Sequence, residues 1–241
     1  MIILLRKRTL LLSGIFCCFF AALATVFWKG TVVPAFSVRE EFPPVTVVID
    51  PGHGGEDGGA VSSGGVAESQ INLAVSLRLN DLLRFAGRRT VLTRVEDVTI
   101  CDPGLETMRQ RKSSDLKNRV RLVEETENAW LLSIHQNSLP SSPVTHGAQV
   151  FWNRQEGAEV LAEAVQTALN GGINAGNEKH PRQIPDSIYL MKQITVPGIL
   201  VECGFLSNSA ETESLQEPTY QLRLAAAVAA GVLSAGSLEN T

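Results

Sequence analysis

Three short segments bring together side chains that can do chemistry. VIDPGHGG contains His53, LLSIHQNS contains His135, and PGILVECGF contains Glu202. Each of these residues comes at or just after the end of an apolar, strand-like run. A fourth group, Glu68, opens an amphipathic stretch immediately after the glycine-rich residues 54–67. Two imidazoles and a carboxylate form the donor set of a catalytic zinc site, which uses three protein ligands and keeps a position open for water. Nitrogen and oxygen donors suit Zn2+ better than a thiolate-seeking metal or an all-oxygen cation. Hydrolysis also needs a group off the metal that takes a proton from water and hands it to the leaving nitrogen. On residue chemistry alone His53 and His135 are ligands, and either Glu68 or Glu202 could be the base. Glu202 lies between Ile-Leu-Val and Cys-Gly-Phe. A carboxylate in such surroundings needs a partner or a task.

The elements that must position these groups follow from periodicity. Strands are predicted at Val45–Asp50, Arg89–Arg94, Ala129–Ile134, Ala148–Trp152 and Gly198–Glu202, with a short one at Ser187–Leu190. Helices are predicted at Glu68–Ala86 with a glycine stop at Gly87, and at Ser113–Asn128, Glu156–Asn170 and Pro218–Ser234. Residues 95–112, 136–147 and 171–186 read as loops. Alternating strands and helices give an α/β fold: a single domain with a largely parallel central sheet flanked by helices on both faces. In such sheets ligands bind at the carboxyl ends of the strands. His53, His135 and Glu202 all fall there, and the glycine-rich loop can fold Glu68 back over them.

Charge is distributed unevenly. The first 30 residues hold Arg6, Lys7, Arg8 and Lys29 and no acidic residue, leaving 17 basic against 25 acidic residues in the rest. An acidic main domain excludes nucleic acid as the expected partner, because phosphate neutralisation needs a basic face. Residues 9–28 contain no charge. At the helical rise they span roughly 30 Å, the thickness of a bilayer core. With the basic cluster ahead of them, residues 1–30 read as a signal anchor, a membrane helix with the rest of the chain outside the cytoplasm. Residues 31–44, with three prolines, read as a linker, and residues 45–236 as the catalytic domain. Four cysteines are too few for a disulfide scaffold. Arg109, Arg111 and Lys112 read as a solvated basic patch. The glycine-rich loop lacks the spacing of a P-loop.

The segments VIDPGHGGEDGGA, ESQINLAVSLRLNDLL, LLSIHQNS and PGILVECGFLSN resemble, in order, blocks of the zinc-dependent N-acetylmuramoyl-L-alanine amidases of the Amidase_3 type. The resemblance spans about residues 45–236. It implies that Zn2+ is held by His53, Glu68 and His135 and that Glu202 is the catalytic base. The substrate it implies is peptidoglycan, cut between the lactyl group of muramic acid and L-alanine. RKSSDLKNRVRLVEE and SIHQNS are similar to the spore-cortex branch of that family, the CwlD type. That branch implies a role in preparing muramic δ-lactam for cortex breakdown at germination. Only Asn153–Gln155 separate the Trp152 strand from the following helix, so an autoinhibitory helix inserted there, as in some relatives, is not expected. No wall-binding repeat follows residue 236, so retention on the wall is expected from the anchor or from an accessory protein partner. Asp50 and Asn137 adjoin the ligand candidates and are read as residues that orient the imidazoles or cap turns. The competing readings are a zinc peptidase acting on the stem peptide and a membrane-tethered wall-binding module with a decayed site.

Overall fold

The computed structural model describes residues 45–238. The anchor and linker expected over residues 1–44 lie outside the described residues. Among the described residues no helix is long and apolar enough to cross a membrane.

Six strands form one sheet: β1 (Thr46–Pro51), β2 (Arg89–Leu92), β3 (Ala129–Asn137), β4 (Gln149–Trp152), β5 (Arg182–Gln183) and β6 (Gly198–Phe205). Their spatial order is β2-β1-β3-β6-β4-β5. The helices are α1 (Glu68–Phe85), α2 (Met108–Glu124), α3 (Ala158–Gly172), α4 (Tyr189–Gln193), α5 (Ser209–Gln216) and α6 (Pro218–Leu238). The sheet is mixed. Every pairing is parallel except β4 with β6, which is antiparallel. The reversal has a local cause: β3 and β4 are joined by a loop without a helix, and a parallel return would need a crossover.

Strand alternation sorts the side chains onto two faces. Val47, Ile49, Trp130, Leu132, Ile134, Ile199 and Val201 join α1, α3 and α6 in the larger core. Val48, Leu131 and Leu200 meet Val123 of α2 and Leu190 and Met191 of α4 in a smaller one. Helices therefore cover both faces, as predicted.

Three local expectations are corrected. Ser187–Leu190 is not a strand: α4 runs through Tyr189–Gln193 and buries Leu190 and Met191 beneath the sheet. Helix α2 starts five residues before the predicted Ser113, because Thr107 and Gln110 form a reciprocal capping box. Helix α5 was not predicted; Asn208 caps it by accepting a bond from the Glu211 backbone N–H. Cys101 and Cys203 are both free.

Candidate metal centre

The carboxyl ends of β1 and β3 and the first residue of α1 meet at one point. One nitrogen from each of His53 and His135 and one oxygen from Glu68 all lie within 4.8 Å of one another. Glu68 Oε2 is 3.4 Å from His53 Nε2, and Oε1 is 2.8 Å from His135 Nδ1. Glu68 is 3% exposed, and the chain supplies its carboxylate with donors. Ala60 N–H donates to Oε2 at 2.8 Å, Gln136 N–H to Oε1 at 3.0 Å, and Asn72 Nδ2 to Oε1 at 3.2 Å. Burial alone would raise the Glu68 carboxyl. The His135 hydrogen bond and the charges of His135 and His53 outweigh it and hold the carboxyl at about 2. The partner responds in the opposite sense: burial opposes a charge on His135, but Glu68 and then Glu202 and Asp50 raise it.

Two glycines make room for this convergence. A Cβ at Gly59 would lie 2.5 Å from Glu68 Oε2 and 2.7 Å from His53 Cδ2, and Gly59 has φ +70°. A Cβ at Gly52 would strike the His135 ring at 2.3 Å. His53 itself sits at φ +60°, a left-handed conformation that disfavours a residue bearing a Cβ. The turn is held by two buried arginines. Arg119 donates to the carbonyls of Pro51 at 2.9 Å and His53 at 2.8 Å. Arg94 donates to those of Pro51 at 3.0 Å and Gly52 at 3.1 Å.

Glu202 is the direct register partner of His135 on the neighbouring parallel strand, so the two side chains stand side by side on one face. Its Oε2 is buried and has no hydrogen-bond partner. Burial, reinforced by the Glu68 charge and opposed by His135, pushes its carboxyl up to about 7. These groups open into a cleft of about 380 Å3, with Ile188, Tyr189 and Leu200 on its apolar side.

The donor set fits a zinc ion on its own chemistry: two imidazole nitrogens and a carboxylate held ionised, with an unpartnered carboxylate oxygen beside them. Neither Asp50 nor Asn137 hydrogen-bonds an imidazole, and the turn-capping reading holds for Asn137. Asp50 is 1% exposed and contacts neither imidazole; it accepts from Arg119, and from the two hydroxyls of Thr93 and Ser133 at 2.7 Å apiece. Burial would raise its carboxyl, but the Arg119 charge and the two hydroxyls lower it. Asn137 accepts from the Ser138 N–H at 2.8 Å, a turn-capping contact. Asp57, which sequence reasoning did not single out, bonds His53 Nδ1 at 3.0 Å. Arg111 and Lys112 pair with Glu56 at 2.7 Å and Asp57 at 3.0 Å, with Lys112 and Glu56 still exposed to solvent.

The N-acetylmuramoyl-L-alanine amidase family model matches residues 47–234. The chain belongs to that family. All four residues of the cluster, His53, Glu68, His135 and Glu202, fall within the matched amidase region. The germination-specific N-acetylmuramoyl-L-alanine amidase of Bacillus subtilis is 35% identical over 187 residues, covering 78% of this chain and 78% of that protein. The structure of the CwlD amidase from Clostridioides difficile, solved in complex with the GerS lipoprotein, superposes with a TM-score of 0.77 at 32% identity. That match covers 80% of this chain and 99% of the other. The catalytic domain of the amidase CwlV from Bacillus (Paenibacillus) polymyxa superposes at 0.67 with 28% identity, covering 82% and 99%.

Proposed function

We propose that the protein is a zinc-dependent N-acetylmuramoyl-L-alanine amidase that cuts the lactyl–L-alanine amide of peptidoglycan. In this reading it acts in the spore cortex, where peptide removal prepares muramic δ-lactam and so cortex breakdown at germination. Residues 1–30 anchor it in the membrane, and residues 45–236 work on the extracytoplasmic side. An accessory protein takes part, a reading supported by the CwlD amidase having been solved in complex with the GerS lipoprotein.

The observation that carries the reading is the Glu202 carboxylate, half-buried with one oxygen unpartnered, in register beside His135 and next to a three-donor cluster. His53, Glu68 and His135 would hold the zinc, which when bound polarises the scissile carbonyl and a water molecule. Glu202 accepts a proton as water adds to the amide carbon, then delivers it to the alanine nitrogen as the C–N bond breaks. The products are a lactyl carboxylate and a peptide with a free amino terminus. A carboxyl pushed up to about 7 suits both halves of that transfer. The backbone donors on Glu68 keep that carboxylate from competing for the proton.

The test is mass spectrometry of purified peptidoglycan after incubation with the zinc-loaded protein. Glycan strands without peptide, together with peptides that begin at L-alanine, are expected. A cut inside the stem peptide would instead make the protein a zinc peptidase. Stoichiometric zinc with no cleavage of vegetative or cortex peptidoglycan would leave a wall-binding module.

A further inference from the structure

Helix α2 faces the ligand turn at three levels. Near its start Arg111 pairs with Glu56. On the next residue, Lys112 Nζ lies 3.0 Å from Asp57 Oδ1. Two turns on, Arg119 holds the His53 carbonyl. The middle level reaches the imidazole. Asp57 Oδ2 is 3.0 Å from His53 Nδ1, so one carboxylate bridges Lys112 and the ring. The segment between His53 and Asp57 closes on itself, with Gly54 and Asp57 exchanging backbone hydrogen bonds of 2.9 and 3.2 Å. Asp57 therefore has little freedom to leave the ring.

We infer that Asp57 and Lys112 are a positioning couple for His53, a Lys–Asp–His chain that fixes the imidazole in the tautomer presenting Nε2 to Glu68 and His135. A carboxylate only accepts hydrogen bonds. Nδ1 must therefore be the donor, which in the neutral ring leaves the lone pair on Nε2, the nitrogen 3.4 Å from Glu68 Oε2. A histidine held in this way is a better and better-aimed ligand. Lys112 sits on the exposed side of the carboxylate and fixes which oxygen is left for the ring. Lys112 thus acts on the metal position only through Asp57. The inference rests on His53 being a ligand, as in the proposed function.

The experiment uses the full-length protein with Co2+ as a spectroscopic probe, Zn2+ by competition, and 15N spectra of the histidine rings. D57A is expected to weaken Co2+ binding 10- to 100-fold, the range for loss of such an outer partner, and to mix the His53 ring tautomers. D57N keeps a neutral acceptor and is expected to restore the tautomer and most of the affinity. K112M is expected to weaken binding about two- to fivefold, the size of an exposed ion pair. In the D57A background K112M should add nothing. Wild-type affinity and a single tautomer in D57A would overturn the inference, as would a K112M effect of equal size in both backgrounds. Should D57A not fold, K112M against D57N/K112M carries the same comparison. The functional reading fails separately, if wild type neither binds the ion nor cuts peptidoglycan; the ring spectra still decide whether Asp57 sets the His53 tautomer.

Discussion

The two faces of the sheet come from the same strands and do opposite jobs. On one, α1, α3 and α6 cover an apolar core built from alternate residues of β1, β3, β4 and β6. On the other, the apolar patch is small and stops where Asp50, Ser133, His135 and Glu202 begin. A one-residue step along β3 separates Ile134, fully buried among leucines, from His135, which faces the cleft. The first face stabilises the fold and touches the chemistry only at the start of α1, through Glu68 and Asn72. The second gives up apolar burial to keep charged groups dry, and ties them down with arginines and backbone donors. Stability and reactivity are thus separated by the pleat.

That separation can be broken from either side. The largest expected effect is on the reactive face. Glu202→Gln should keep the fold and the ion while lowering turnover on peptidoglycan about 10²- to 10⁴-fold, the usual weight of a general acid–base group. Ion content measured beside the hydrolysis rate checks it, and loss of the ion would assign Glu202 to the ligands instead. On the opposite face, Leu79→Ala should cost about 2–5 kcal/mol of stability, since Leu79 is fully buried. Turnover per folded molecule should stay at the wild-type level; denaturant melts paired with an active-site titration would show whether it does.

A smaller effect couples the two properties. The Glu202 carboxyl is raised from 4.5 to about 7, chiefly by burial. A carboxyl raised on folding stabilises the native state while protonated. That contribution is complete below its unfolded value near 4.5 and is lost as pH rises through about 7. After chelation, wild type should therefore lose stability relative to Glu202→Gln between about pH 5 and 8, by up to about 3 kcal/mol. Melting curves of the two proteins across that range test the sign. With Glu202 as the proposed base, hydrolysis should run the other way and rise with pH as that carboxyl ionises. The smallest effect is at the start of α2. Thr107→Ala removes a cap worth about 1 kcal/mol and should lower the melting temperature slightly, with Glu202 chemistry unchanged.

The apolar face was the more legible one. Runs such as VTVVID and AWLLSI announce buried strands, and Gly87 marks the end of α1. The four residues of the cluster were legible because each adjoins an apolar, strand-like run or opens a helix. Their supports were not, because those contacts span long stretches of chain and end on backbone atoms. Arg119 and Arg94 bind carbonyls of residues 51–53 from 66 and 42 positions away, and nothing in their local sequence points there. Asp57 was hidden among glycines, where an aspartate reads as a turn residue. Missing the first turn of α2 removed Arg111 and Lys112 from the helix, so their acidic partners on the ligand turn went unrecognised. The signal was present in Thr107 and Gln110, three apart with glutamine at the second position. Ser187–Leu190 failed for a different reason: a short apolar run has no period long enough to tell a strand from one turn of helix.

The spacing of the ligand contacts also orders events in time. Glu68 accepts from Gln136, 68 positions later, and the His53 carbonyl is held from 66 positions later. Neither contact exists until β1 and β3 lie side by side, a pairing that closes a long stretch of chain. The unfolded polypeptide thus has three scattered donors and no cradle. An ion at this site would therefore be captured only after the sheet has formed, and a chelator present during refolding should leave the sheet to form on its own schedule.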